Sequence, residues 1–243
     1  MTIDESKLFM TRLEKEISSI KDVEIVICPT FLPLSEMAKK LNKKKFKLGA
    51  QNFHYADQGT YTGEVAAAQL KDLIGYGLVG HSDRRQKFNE SDQDIARKMA
   101  SAVRNSIRPI LCVGEDLLQR QEGLTNIILH DQLSAGLAML TAEDLASVMI
   151  AYEPIWAISS GDGHGENAGP DPVKKAITTI RQTVSELYGK KAESSLHVLY
   201  GGSSNPDNAL SYLRITGVDG LLVGGASLNY KSFADIIKKT TKV

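Results

Sequence analysis

Cysteine is scarce in this chain: its 243 residues carry two, Cys28 and Cys112, in apolar runs without CxxC spacing. That argues against a disulfide framework or a thiolate metal site, and the expectation is two buried free thiols in a reducing compartment. A dominant charge sign is lacking too, since 29 Lys and Arg balance 29 Asp and Glu. The largest basic knot, residues 43–45, is explained by a solvated helix end, so no nucleic-acid partner is expected. No stretch reaches the ~18 consecutive apolar residues of a membrane span, and no signal-peptide pattern precedes the first helical segment. The expectation is a cytoplasmic protein with no membrane partner. No Pro/Gly/Ser-rich linker or shift in composition divides the chain, so one domain over residues 1–243 is expected, within the length an α/β barrel reaches.

What the sequence does have is alternation. Short, β-rich, nearly uninterrupted apolar runs occur at 24–29, 46–51, 77–82, 108–115, 147–154, 197–202 and 220–225. Such runs suit parallel strands covered on both faces. Amphipathic helical patterns lie between them, as at 64–74, 92–103 and 172–189. Strands alternating with helices imply right-handed βαβ units, here seven strands and eight main helices, in either a doubly wound sheet or a barrel. The chain opens on a helix, because Thr2 and Glu5 form a capping box ahead of Ile3, Leu8, Phe9, Leu13 and Ile17 at helical spacing. A strand-first barrel would therefore lack one stave at its front.

Polar residues and glycines gather where the runs end, the face that carries active sites in α/β barrels. The turns after 197–200 (Gly201–Ser203) and 220–223 (Gly224, Gly225) place glycines ahead of helical segments. Backbone N–H groups there can approach an anion closely, although glycines also serve simple tight turns. Glu153 closes an apolar strand and is suited to general-base work if desolvation raises its pKa; His81 could donate to a carbonyl. Each, taken singly, also fits an ordinary surface or core residue. His54, His130, His164 and His197 share no spacing and receive no role. The glycine-rich stretch 161–169 is out of register for a nucleotide fingerprint and reads as a long mobile loop.

GHSDRR (80–85), AYEPIWAI (151–158), YGGSS (200–204) and LLVGGASL (221–228), with QNFHYADQGTYTGE (51–64) and LCVGE (111–115), closely resemble the triosephosphate isomerase family over nearly the whole chain. The resemblance implies a (β/α)8 barrel, usually a homodimer, that interconverts dihydroxyacetone phosphate and glyceraldehyde 3-phosphate without cofactor or metal. It implies that Glu153 moves the proton and His81 polarises the carbonyl, a pairing that is itself a standard example of pKa tuning. Backbone groups at Ser159, Ser203, Gly224 and Gly225 would hold the phosphate. Pro154, Ile155, Trp156, Ala157, Ile158, Ser160 and Gly161 would form the lid. Ser82, Asp83, Glu90 and Glu115 would stand behind the reacting groups, and Thr62 would sit on the loop that docks into a second subunit.

Three departures accompany the resemblance. The family's opening strand, ending in Asn-x-Lys, has no counterpart ahead of Thr2. The expectation is a barrel without its first strand, lacking the catalytic Asn and Lys and so severely reduced in activity, with an altered dimer. Asp83 stands where the family usually has glutamate. The lid reads AISSG with a longer following hinge, and the Cβ of Ser159 could hinder its turn on closure. Three alternatives stay open: a non-catalytic sugar-phosphate-binding or scaffold barrel, an incomplete copy of an active enzyme, and a different phosphate-binding barrel.

Overall fold

The computed structural model describes residues 1–158 and 167–242. Its sheet has seven parallel strands: β1 (Ile25–Ile27), β2 (Phe46–Ala50), β3 (Tyr76–Val79), β4 (Arg108–Val113), β5 (Met149–Tyr152), β6 (His197–Tyr200) and β7 (Gly220–Leu221). They neighbour one another strictly in chain order. A doubly wound sheet reverses its strand order at a switch point; this one never does. Where consecutive parallel strands are joined by crossovers of the usual right hand, the helices cover one face and the sheet curls toward a barrel.

Among the described residues, eight α-helices accompany the strands in the expected rhythm and three short ones, Ser82–Lys87, Leu117–Gln121 and Lys190–Ser195, decorate the connections. The first helix, Ile3–Glu16, starts as the capping box requires: Glu5 N donates to Thr2 Oγ1 at 3.2 Å and Thr2 N to Glu5 Oε2 at 2.7 Å. The patterns at 92–103 and 172–189 become helices Asp92–Arg104 and Pro170–Tyr188. The pattern at 64–74 gives only Ala67–Leu70, because Ala66 bridges to His54 and holds the preceding backbone extended.

Apolar residues fill two layers. Tyr76, Leu78, Ile110, Cys112 and Ala151 point inside the curl, while a larger cluster lies between sheet and helices. Both thiols are free, Cys112 buried and Cys28 half-buried. A third cluster joins Leu13 of the first helix and Ile17 at its C-cap, Ala234 and Ile237 of the last (Tyr230–Thr240), and Ile25 and Phe46 of the neighbouring strands. Burial falls toward the ends of the sheet. All of β3 is buried, whereas Val26, Ile27, Gly220 and Leu221 are half-covered. Among the described residues no helix is long and apolar enough to cross a membrane.

Candidate active site

Glu153 follows β5 directly and is only 2 % exposed. Its N–H continues the sheet ladder by donating to the Val113 carbonyl at 2.8 Å, so its Cα is fixed by the strand rather than by a loop. Two glycines make room for it. A Cβ on Gly114 would collide with the Glu153 carbonyl, and one on Gly201 would lie 2.9 Å from Glu153 Cγ. The side chain turns toward the end of β3, where Oε1 lies 3.0 Å from His81 Nε2 and Oε2 accepts the Ser82 N–H at 3.0 Å. Burial pushes the Glu153 carboxyl above the usual carboxylate range, and His81 and the Ser82 bonds only partly offset that.

His81 caps helix Ser82–Lys87 through its ring, with Nδ1 accepting the Asp83 N–H at 3.2 Å. A neutral ring with Nδ1 as acceptor carries its proton on Nε2, the nitrogen that faces Glu153. Asp83 spends its carboxylate on Lys87, 2.7 Å away in an exposed pair, and its Oδ2 is 3.8 Å from His81 Nδ1.

Behind this pair Glu90 is buried among three donors: the Arg84 guanidinium, Lys98 Nζ at 3.1 Å and Gly80 N at 3.4 Å. Lys98 also donates to Asn52 Oδ1 at 2.7 Å, and desolvation lowers its pKa although Glu90 opposes the shift. Sequence reasoning missed Lys98 and Asn52. A signal existed, since Lys98 lies on the Ile95–Met99–Ala102 stripe, which helical spacing turns inward. A lysine on such a stripe needs a buried partner.

Glu115, fully buried after β4, gathers the hinge of the expected lid. Its carboxylate accepts from Trp156 Nε1 at 2.9 Å and Tyr152 OH at 3.1 Å, and its carbonyl accepts the Ile155 N–H at 3.1 Å. Arg120 stacks 3.9 Å from the Trp156 ring centroid. Burial raises the Glu115 pKa, and the Trp156 and Tyr152 bonds oppose it. Glu115→Gln leaves one donor facing an amide NH2. The expected cost is about 1–3 kcal/mol, seen calorimetrically as a Tm lower by ~2–4 °C per kcal/mol.

Pro154, Ile155, Trp156 and Ala157 form a tight turn continued by Ile158. Ser159, Ser160 and Gly161 lie outside the described residues. The Ser203 N–H donates to the Ala157 carbonyl at 3.1 Å, which ties the turn after β6 to this hinge. Gly224 and Gly225 are exposed, and a Cβ on either would meet nothing within 4 Å. Thr62 is distant in role: it sits exposed on a loop where His54 stacks on Tyr55 and packs at a tilt against Tyr61, at 4.3 and 4.1 Å between ring centroids. Among the described residues no cluster of His, Cys, Asp and Glu could hold a metal ion. The arrangement brings a desolvated carboxylate and an Nε2–H donor together, which suits proton transfer next to a carbonyl.

Comparison with known proteins finds a match to the family described as "Triosephosphate isomerase" over residues 1–240. A triosephosphate isomerase from Caldanaerobacter subterraneus subsp. tengcongensis is 41 % identical over 228 residues, covering 93 % of this chain and 90 % of the relative. One from Clostridium perfringens is 40 % identical over 237 residues, covering 97 % and 94 %. One from Alkaliphilus metalliredigens is 39 % identical with the same coverage.

Proposed function

Because the chain belongs to the triosephosphate isomerase family, we propose that it interconverts dihydroxyacetone phosphate and glyceraldehyde 3-phosphate. Glu153 moves a proton between adjacent carbons; His81 Nε2–H stabilises the oxygen that becomes negative. The observation that carries this reading is the buried Glu153 carboxylate 3.0 Å from His81 Nε2. The base must be ionised to accept a proton, and burial holds its pKa high. The acid limb of kcat/KM is therefore expected above the ordinary carboxylate range, and it should vanish with the residual rate of Glu153→Gln.

The phosphate is assigned to backbone N–H groups of Gly224, Gly225, Ser203 and Ser159, with Ala157 and its neighbours closing over it. In the described residues Ser203 N is already engaged with Ala157, so substrate and hinge compete for that donor. We assign pairing of two copies to the exposed loop at Thr62.

The chemistry of this 243-residue polypeptide is proposed to be slow. Among the described residues Glu153 and His81 contact Ser82, Asp83 and each other, and no lysine ammonium reaches them. Negative charge arising on the substrate oxygens then meets no lysine from the described residues. A coupled isomerase assay on the purified chain tests this. Measurable turnover that is abolished by Glu153→Gln supports the reading. Saturable substrate binding with no turnover would instead support a sugar-phosphate-binding barrel.

A further inference from the structure

Helix Ala209–Leu213, which follows β6, turns a tyrosine toward the start of helix Pro170–Tyr188. Tyr212 and Ala168 are both buried, and the Tyr212 hydroxyl donates to the Ala168 carbonyl at 2.8 Å. Helix Pro170–Tyr188 begins its own ladder one residue later, where Val173 N donates to the Gly169 carbonyl. The phenol thus gives the buried Ala168 carbonyl its partner. The Tyr212 ring is fixed in turn by stacking on Tyr200 of β6, with 4.0 Å between centroids. A second link runs beside the first. Asn208 Nδ2 donates to the Ser203 carbonyl at 3.1 Å and reaches Asn167 Oδ1 at 3.5 Å. Asn208 Oδ1 accepts the Asn205 N–H at 2.8 Å, which closes the turn on itself. The backbone at 167–169 is therefore held against the turn that carries Ser203.

We propose that Tyr212 is a positioning residue for the phosphate group of the substrate. Its hydroxyl fixes Ala168, the adjoining Asn167 meets Asn208, and Asn208 sets the Ser203 peptide. The proposal rests on the isomerase reading, which assigns the phosphate to Ser203 and its partners. The proton-transfer pair stands apart from this chain of contacts. Glu153 N is held by the Val113 carbonyl, and His81 Nδ1 by the Asp83 N–H. Loss of the Tyr212 hydroxyl then weakens phosphate binding equally in the ground and transition states, which raises KM and leaves kcat.

Tyr212→Phe keeps the ring and its stack and deletes only the donor. The KM for dihydroxyacetone phosphate in the coupled assay should rise at least about threefold, the scale of one net hydrogen bond. The Kd of inorganic phosphate, measured by calorimetry, should rise with it, while kcat stays within about twofold. Tyr188→Phe is the control, because its hydroxyl donates to the Leu137 carbonyl at 2.6 Å at the other end of the same helix. It should lower Tm to a similar extent and leave both constants unchanged. A smaller rise in Tyr212→Phe overturns the proposal, whatever its Tm. So does an equal rise in Tyr188→Phe, which reports general loosening, and so does a loss confined to kcat. KM decides where the parent chain turns over; the phosphate Kd decides where it does not. Phosphate binding without turnover, weakened in Tyr212→Phe alone, overturns the isomerase reading and keeps the positioning role. A parent chain that neither turns over nor binds phosphate saturably overturns both.

Discussion

Replacing Glu153 with Gln is expected to lower kcat by a factor on the order of 10²–10⁴, the usual contribution of a positioned general base. The amide is isosteric, so substrate binding and KM should change little; the loss belongs to the step in which a proton changes carbon. Glu153→Asp keeps the charge but withdraws it by one methylene. A displacement of that size costs about 10²-fold where geometry is preorganised, and the ladder bond from Glu153 N to the Val113 carbonyl holds the backbone in place. Steady-state assays of both variants would check this; a Gln variant within threefold of the unsubstituted chain sinks the assignment. Stability provides a second signature. Burial raises the folded-state pKa of Glu153 above its unfolded value. The associated stability is therefore present below the ordinary glutamate pKa and lost as pH rises through the folded-state value. Glu153→Gln should flatten the fall of Tm as pH rises above the ordinary glutamate range, measurable by calorimetry at several pH values.

Much of this was legible in the sequence because local rules and tertiary needs agreed. The Thr2–Glu5 box, the apolar runs and the helices at 92 and 170 appear within a few residues of where their patterns place them. Glu153 and His81 stood out as polar residues at the ends of apolar runs, although each taken singly also fitted an ordinary surface or core residue, and it was the family resemblance that gave them roles. What periodicity could not choose was a barrel over a doubly wound sheet, since both alternate strands with helices; strand order in space decides it. Nor could it give the 3.0 Å approach of His81 to Glu153, separated by more than seventy positions, or the sharing of Lys98 between Glu90 and Asn52. Those contacts depend on register between strands, and pairing is a long-range property. At 64–74 the helical pattern was real but lost to the His54–Ala66 bridge.

Fusing an eighth strand ahead of Met1, with lysine as its last residue, is expected to raise kcat by at least about 10². The estimate rests on single neutral donors, whose removal from preorganised sites costs on the order of 10²–10³; an ammonium in a water-poor site should contribute no less. The architecture provides the position. Strands of this sheet all point the same way, and the C-terminal ends of β1 and β7 lead into Cys28 and Leu222, on the same face as Glu153 and His81. A strand between them delivers its final side chain to that face, and helix Ile3–Glu16 follows it as a helix follows every other strand. The control is the same fusion with methionine in place of lysine. Both fusions should raise Tm, because each pairs two edges and covers Phe9 and Phe233, but only the lysine form should gain rate. That split separates repair of the sheet from supply of a charge. If the unfused 243-residue chain already turns over within tenfold of the lysine fusion, the site works without that cation, and the proposal of slow chemistry is wrong. Equal rates for the lysine and methionine fusions, both far above the unfused chain, would mean that the open edges limit catalysis by letting Glu153 and His81 drift.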